Sequence, residues 1–334
     1  MLKTKWKMRN PSSSIFSKWS SDVRQVIRQI IDMQGNNVSG HLNVLNTSVT
    51  HLRRKYRPIE IDKTCVTRLQ VVIPLTCPTK YADLLAQPIT TEELLSALRS
   101  GAKHKTPSID GFSLEFYIAN WDTIKQDLLE LMNQMILHKK NHSSSETWHH
   151  TLLKSKGDRT ANGYRPISLL TTEYKLLART MARRLRHLLK DRLHTSQFCG
   201  VPGNSILEAA SLVRDVIAYS ESSGSPLCVL TLYFQHAFDR ISHHYLLQIL
   251  HRYGISEWFI DRLHALYKNT TASVQINGTL AGPIPIQSAV EQGCPLCMIL
   301  YALCLHPLLR TLEDNLPGIR LGRLTGSPPS RRIR

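Results

Sequence analysis

Polar and apolar positions alternate with different periods along the chain, and the period changes divide it. Asp22 to Met33 has helical spacing inside an otherwise polar stretch, residues 1–60. Pro74, Pro78 and Pro88 mark residues 61–90 as a linker. Thr90-Thr91-Glu92-Glu93 ahead of Leu94, Leu95 and Leu98 reads as a capping box opening a helix. Lys105 to Phe112 reads as a turn. Trp121 to Leu137 places Ile124, Leu128, Leu131, Met132 and Met135 on one helical face. Residues 138–163 are loop-like, and Tyr164 to Leu170 leads into a helix over Glu173 to Lys190. That helix carries Leu177, Met181, Leu185 and Leu188 on one stripe and Lys175, Arg179, Arg183, Arg186 and Lys190 on the other.

Asn204 to Ser220 predicts a further helix. Leu227 to Phe234 alternates with period two, as a strand does. Helices follow at His244–Tyr253 and Trp258–Tyr267. Ala272 to Ser288 predicts a hairpin turning near Asn277-Gly278. The most apolar run starts at Cys294 and predicts a buried helix to Leu312; Pro295, His306 and Pro307 interrupt it, and it falls short of a membrane span of about 20 residues. The tail, 323–334, is Gly/Pro/Ser/Arg-rich and predicts fraying. This order of elements predicts an α+β fold with an antiparallel sheet.

Charge adds a partner class. The net charge is +17, and it sits in two blocks: residues 1–60 hold 11 Lys/Arg against 3 Asp/Glu, and residues 138–192 hold 13 against 4. Two basic blocks on a neutral body suggest two phosphate-facing surfaces; solvated faces are the plainer reading for the first block alone, and the five bases of the 175–190 stripe point to an anionic neighbour. The seven cysteines are scattered, which excludes a secreted disulfide framework. No apolar stretch follows the basic start, so no signal peptide is expected and the protein is expected to be intracellular. Cys294 and Cys297 form half of a zinc spacing without a second pair and read as buried thiols. Neither adjacent histidine pair, His149-His150 or His243-His244, suits joint ligation.

Six strings then occur in series: KTPSIDG (105–111), KGD (156–158), YRPISLL (164–170), QFCGVPGNSI (197–206), AFDRIS (237–242) and QGCPL (292–296). Together they resemble the reverse transcriptase domain of LINE-type (non-LTR) retrotransposons, over roughly two-thirds of the chain. Ser108 departs from the glycine common in the first string. The resemblance implies the fingers and incomplete palm of a right-hand polymerase. It implies a basic connector over 1–88, a fingers-like region over 89–225 and an incomplete palm over 226–322.

Intact members of that family transfer phosphoryl groups with two Mg²⁺ ions held by carboxylates. One of these Asp residues lies on the palm strand ahead of the AFD string, and Tyr233 stands at that place here. A neutral phenol is no ligand for Mg²⁺ at pH 7. The chain reaches Arg334 without a Tyr-x-Asp-Asp string, so the resemblance implies a truncated, inactive copy with no cofactor of its own. The resemblance gives Arg165 a triphosphate contact. Lys156 assists it or is a loop charge. Phe238 is a steric gate, a core aromatic, or both. Gln292 and Gly293 touch template and nucleotide. The implied partner is RNA or an RNA–DNA primer–template, within a retroelement ribonucleoprotein. The alternative is a non-catalytic nucleic-acid or ribonucleoprotein adaptor.

Overall fold

The computed structural model describes residues 26–73, 79–105, 110–137, 147–153, 158–193, 197–201, 203–224, 226–316, 319–320 and 332–333. Two apolar cores organise them. The first is helical and the second joins a helix to a sheet, which makes the fold α+β.

The sheet has the order β4-β3-β5-β6. Its strands are β3 (Thr147–Leu153), β4 (Tyr164–Leu169), β5 (Thr271–Ile276) and β6 (Thr279–Pro285). β3 runs antiparallel to β4 and parallel to β5, and β5 and β6 form the expected hairpin. Its turn is Asn277-Gly278, both at positive φ (50° and 89°) as a tight two-residue turn requires. Two short strands, β1 (Gln29–Ile31) and β2 (Asn37–Ser39), pair apart from this sheet. Helix α1 (His41–Lys55) packs on the sheet through Val44, Leu45, Val49 and Leu52, against Ala272, Val274, Ile276 and Ile284. The sequence before residue 61 therefore yields β1 where a helix was expected, and α1 where none was.

The 61–90 linker is corrected to two helices, α2 (Lys63–Val71) and α3 (Thr79–Ala86). Asp62 caps α2 by accepting from the backbone N–H groups of Thr64 and Cys65. Helix α4 (Thr91–Arg99) opens with the predicted box: Thr90 Oγ1 accepts from Glu93 N, and Glu93 Oε2 accepts from Thr90 N. After α5 (Leu114–Ala119), helix α6 (Trp121–Leu137) has the expected bounds. The loop over 138–163 contains β3 and is corrected there.

Helix α7 (Thr172–Arg192) runs through the middle of the helical core. Leu177, Met181, Leu185 and Leu188 are buried as predicted, and so are Leu176, Ala178, Ala182 and Leu189. α7 packs on α3 and α4, and on α11 (Cys297–Asn315). Helices α8 (Ile206–Ser223), α9 (His243–Arg252) and α10 (Glu257–Tyr267) complete the described helices. The apolar helix α11 continues through Pro307. Short pairs β7 (Ile319–Arg320) and β8 (Arg332–Ile333) lie near the end. Among the described residues, no helix is long and apolar enough to cross a membrane.

Arg184 fixes the rotation of α7. Its guanidinium donates to both carboxylate oxygens of Glu93 (2.7 and 2.6 Å) and to the carbonyls of Gln87 and Pro88 (2.6 and 2.8 Å). Its side chain is 4% exposed, and Trp258 of α10 lies under it at 5.5 Å. The Glu93 side chain is 29% exposed and keeps some water, so losing Arg184 costs less than the full penalty of a buried pair, about 2–3 kcal/mol. Arg183, one residue away, is exposed. Arg184→Ala is therefore expected to lower unfolding free energy by about that amount, and Arg183→Ala by less than about 0.5 kcal/mol. Chemical denaturation of the two variants checks this, and equal effects would contradict the rotation of α7.

Candidate nucleotide and nucleic-acid site

Three segments meet beside the sheet: β4, a 3₁₀ turn over Ala237–Arg240, and the chain from Ser288 to Cys294. Backbone bonds tie them. Ser168 N donates to Gln292 O (3.1 Å), Val290 N to Phe238 O (2.8 Å) and Ala289 N to Ile241 O (2.8 Å). Gly293 has φ 111°, and a Cβ there would stand 2.9 Å from Ser168 O. A glycine is thus required where this segment crosses β4.

Side chains join the same segments. Gln292 Nε2 donates to Asp239 Oδ1 at 3.4 Å. Asp239 Oδ2 pairs with Lys55 Nζ at 2.8 Å, with side chains 5% and 7% exposed. His236 Nδ1 lies 3.7 Å from the same oxygen. Burial, then the nearby Lys55 charge, pushes the His51 imidazole down to about 4. Phe238 is half-buried, and its ring meets Tyr301 of α11 at 4.7 Å between centroids. Arg165 is exposed on β4, opposite Leu152 of β3. The structure thus brings Phe238, Gln292 and Gly293 together, with Arg165 on the adjoining strand. Lys156 lies outside the described residues, as do Thr106 to Ile109 of the KTPSIDG string.

The predicted strand Leu227–Phe234 does not form. The segment is irregular, and Tyr233 is 78% exposed, with Val229, Leu230, Leu232 and Phe234 also exposed. A strand needs a neighbour for its backbone groups, and the four-stranded sheet does not include this segment. α8, just before it, has no buried residue. Tyr233 offers a phenol, and the nearby Asp239 carboxylate is held by Lys55. Among the described residues, no group of three or more His, Cys, Asp or Glu could hold a metal ion.

The basic rail of α7 is not one surface. Arg183 and Arg186 are exposed. Arg179 turns inward and donates to Ala97 O of α4 at 3.0 Å, and burial lowers its pKa first, Arg183 second. Lys175 is half-buried, and burial lowers its pKa too. The Lys190 side chain lies outside the described residues.

Residues 152–323 match the profile of the family described as reverse transcriptase (RNA-dependent DNA polymerase). The chain belongs to the LINE-type branch of that family. It is 35% identical over 240 residues to the transposon TX1 uncharacterized 149 kDa protein of Xenopus laevis, covering 72% of this chain and 18% of that protein. It is 27% identical over 238 residues to a Pol polyprotein from a type-1 retrotransposable element R2 of Popillia japonica, covering 70% and 32%. A probable RNA-directed DNA polymerase from transposon BS of Drosophila melanogaster is 24% identical over 287 residues, covering 78% and 28%. The chain thus spans less than a third of the length of each of these relatives.

Within this reverse transcriptase region, sequence reasoning missed Glu291. It is 3% exposed, and neither carboxylate oxygen has a hydrogen-bond partner among the described residues. Burial pushes its pKa up to about 8. Tyr56, Tyr174, Tyr267 and Cys294 lie close enough to feel its charge. Nothing in the sequence around it signals this burial. The folded pKa lies above the ordinary 4.5, so the folded state holds the proton more tightly. This stabilisation is full below pH 4.5 and is lost as pH rises through about 8, at up to about 1.4 kcal/mol per unit. Glu291→Gln is expected to match the parent near pH 5 and exceed it in melting temperature near pH 9. A difference that does not change with pH would show that Glu291 is ionised in the fold.

Proposed function

We propose that this chain is the fingers and part of the palm of a LINE-type reverse transcriptase that no longer polymerises DNA and binds nucleic acid without catalysis. Tyr233 carries this reading: a phenol stands where the metal-binding Asp belongs. The nearby acidic substitute, Asp239, is neutralised by Lys55 in a buried pair, which supports the same reading. A longer protein could supply a Tyr-x-Asp-Asp pair from another segment, and position 233 would still lack its carboxylate.

In this reading Arg165 faces the phosphates, Phe238 packs at the sugar, and Gln292 and Gly293 border the template and nucleotide. Lys156 lies between β3 and β4 and stays with them as a candidate. Arg183 and Arg186, exposed on α7, supply the remaining backbone contacts. The partner is RNA or an RNA–DNA primer–template, inside the cell and within a retroelement ribonucleoprotein. The adaptor reading is favoured by the exposed arginines of β4 and α7 together with the altered residue at position 233.

Two measurements test the proposal. Primer extension on an RNA template with Mg²⁺ or Mn²⁺ is expected to give no template-dependent product, and any such product from this chain overturns inactivity. Binding to a labelled RNA–DNA primer–template is expected to weaken steeply with salt. Each lost phosphate contact reduces the log–log salt slope by about 0.7–0.9. Changing Arg165, Arg183 and Arg186 together to Ala is expected to reduce the slope by about 2–3. Binding no tighter than that of an unrelated basic protein would end the adaptor reading.

A further inference from the structure

The region matched to the family begins at residue 152, and Lys55 lies almost a hundred residues ahead of it. Lys55 is nevertheless built into the candidate site. It is the last residue of α1, and its ammonium is withdrawn from water against Asp239. Asp239 in turn holds Gln292 through its other oxygen. One carboxylate therefore connects three segments: α1, the 237–240 turn that bears Phe238, and the 288–294 chain that bears Gln292 and Gly293. Next to Lys55, Tyr56 O accepts from Gln287 N at 2.9 Å, so a second bond ties the end of α1 to the chain just ahead of the 288–294 segment.

We propose that Lys55 is a positioning residue of the nucleotide site, a strut from the upstream helix that locks the Phe238 turn to the Gln292 segment. The nucleotide role of those segments rests on the function proposed above; the strut itself does not. An ammonium suits the task, because a point charge at 2.8 Å holds a buried carboxylate without needing a flat fork of donors. A neutral side chain would leave Asp239 buried without a countercharge. The groups facing Asp239 are then His51 from α1, His236 from its own turn, Gln292, and more distantly Tyr56.

The test is amide hydrogen exchange on the whole chain, comparing Lys55→Met with Leu52→Ala. Leu52 lies on the same helix, 4% exposed in the second core, and makes no charged contact. Lys55→Met is expected to speed exchange of the Asp239, Ala289, Val290 and Ser168 amides roughly a hundredfold beyond the change in the rest of the second core. Leu52→Ala is expected to speed the core without singling out those four. Lys55→Met should also lose melting temperature with rising pH more steeply than the parent, because Asp239 is left buried without a countercharge. That excess slope should vanish in Lys55→Met/Asp239→Asn. If Lys55→Met does not fold, the double variant, with neither charge of the pair left, carries the exchange comparison. Equal exchange patterns for the Lys55 and Leu52 variants, or a pH slope no steeper than the parent's, overturn the strut. If the four amides open as expected and primer–template affinity stays unchanged, the strut stands and the nucleotide role of those segments falls.

Discussion

The burial of α7 is the constraint on which the helical half of the molecule depends. A helix with neighbours on several sides cannot keep five cations on one open face. Its bases must find partners or be pushed to the rim. Arg184 takes the first course, with both oxygens of Glu93 and two carbonyls from the turn before α4. That same Glu93 closes the capping box, so one carboxylate sets both the start of α4 and the roll of α7. Arg179 ties the far end of α4 through Ala97 O. Among the described side chains of the stripe, Arg183 and Arg186 are the exposed ones.

Much of this was legible because periodicity records burial. Leu177, Met181, Leu185 and Leu188 predicted their own environment, and Asn277-Gly278 announced its turn. The basic stripe was misjudged for the same physical reason. Spacing says which side chains share a face, and it does not say whether a guanidinium on that face reaches back to a neighbouring helix. The prolines of 61–90 suggested a linker, yet Asp62 caps a helix just where proline is absent. Leu227–Phe234 has the alternation of a strand and no strand beside it, and alternation without a neighbour leaves backbone groups to water.

In the candidate site, motif strings located Phe238, Gln292 and Gly293, and the fold explains Gly293 by its approach to Ser168. The strings did not reveal Lys55 or Glu291. Lys55 sits in a basic block where charge is commonplace, and its partner lies far away in the chain. Glu291 looks like an ordinary surface acid until its burial is known. Long-range pairing and desolvation leave no local pattern to read.

The Lys55–Asp239 pair also sets a timetable. Its members are 184 residues apart. At about 5–20 residues per second, a ribosome needs roughly 10–40 s to pass from one to the other. Throughout that interval α1 has neither its countercharge nor the β5–β6 surface on which it packs. The hairpin of β3 and β4 waits as well, since its parallel neighbour β5 is made more than a hundred residues later. The nascent chain thus carries a basic helix and an open sheet edge while its second core is unfinished, and a cation left in water at that stage keeps the waiting segment soluble.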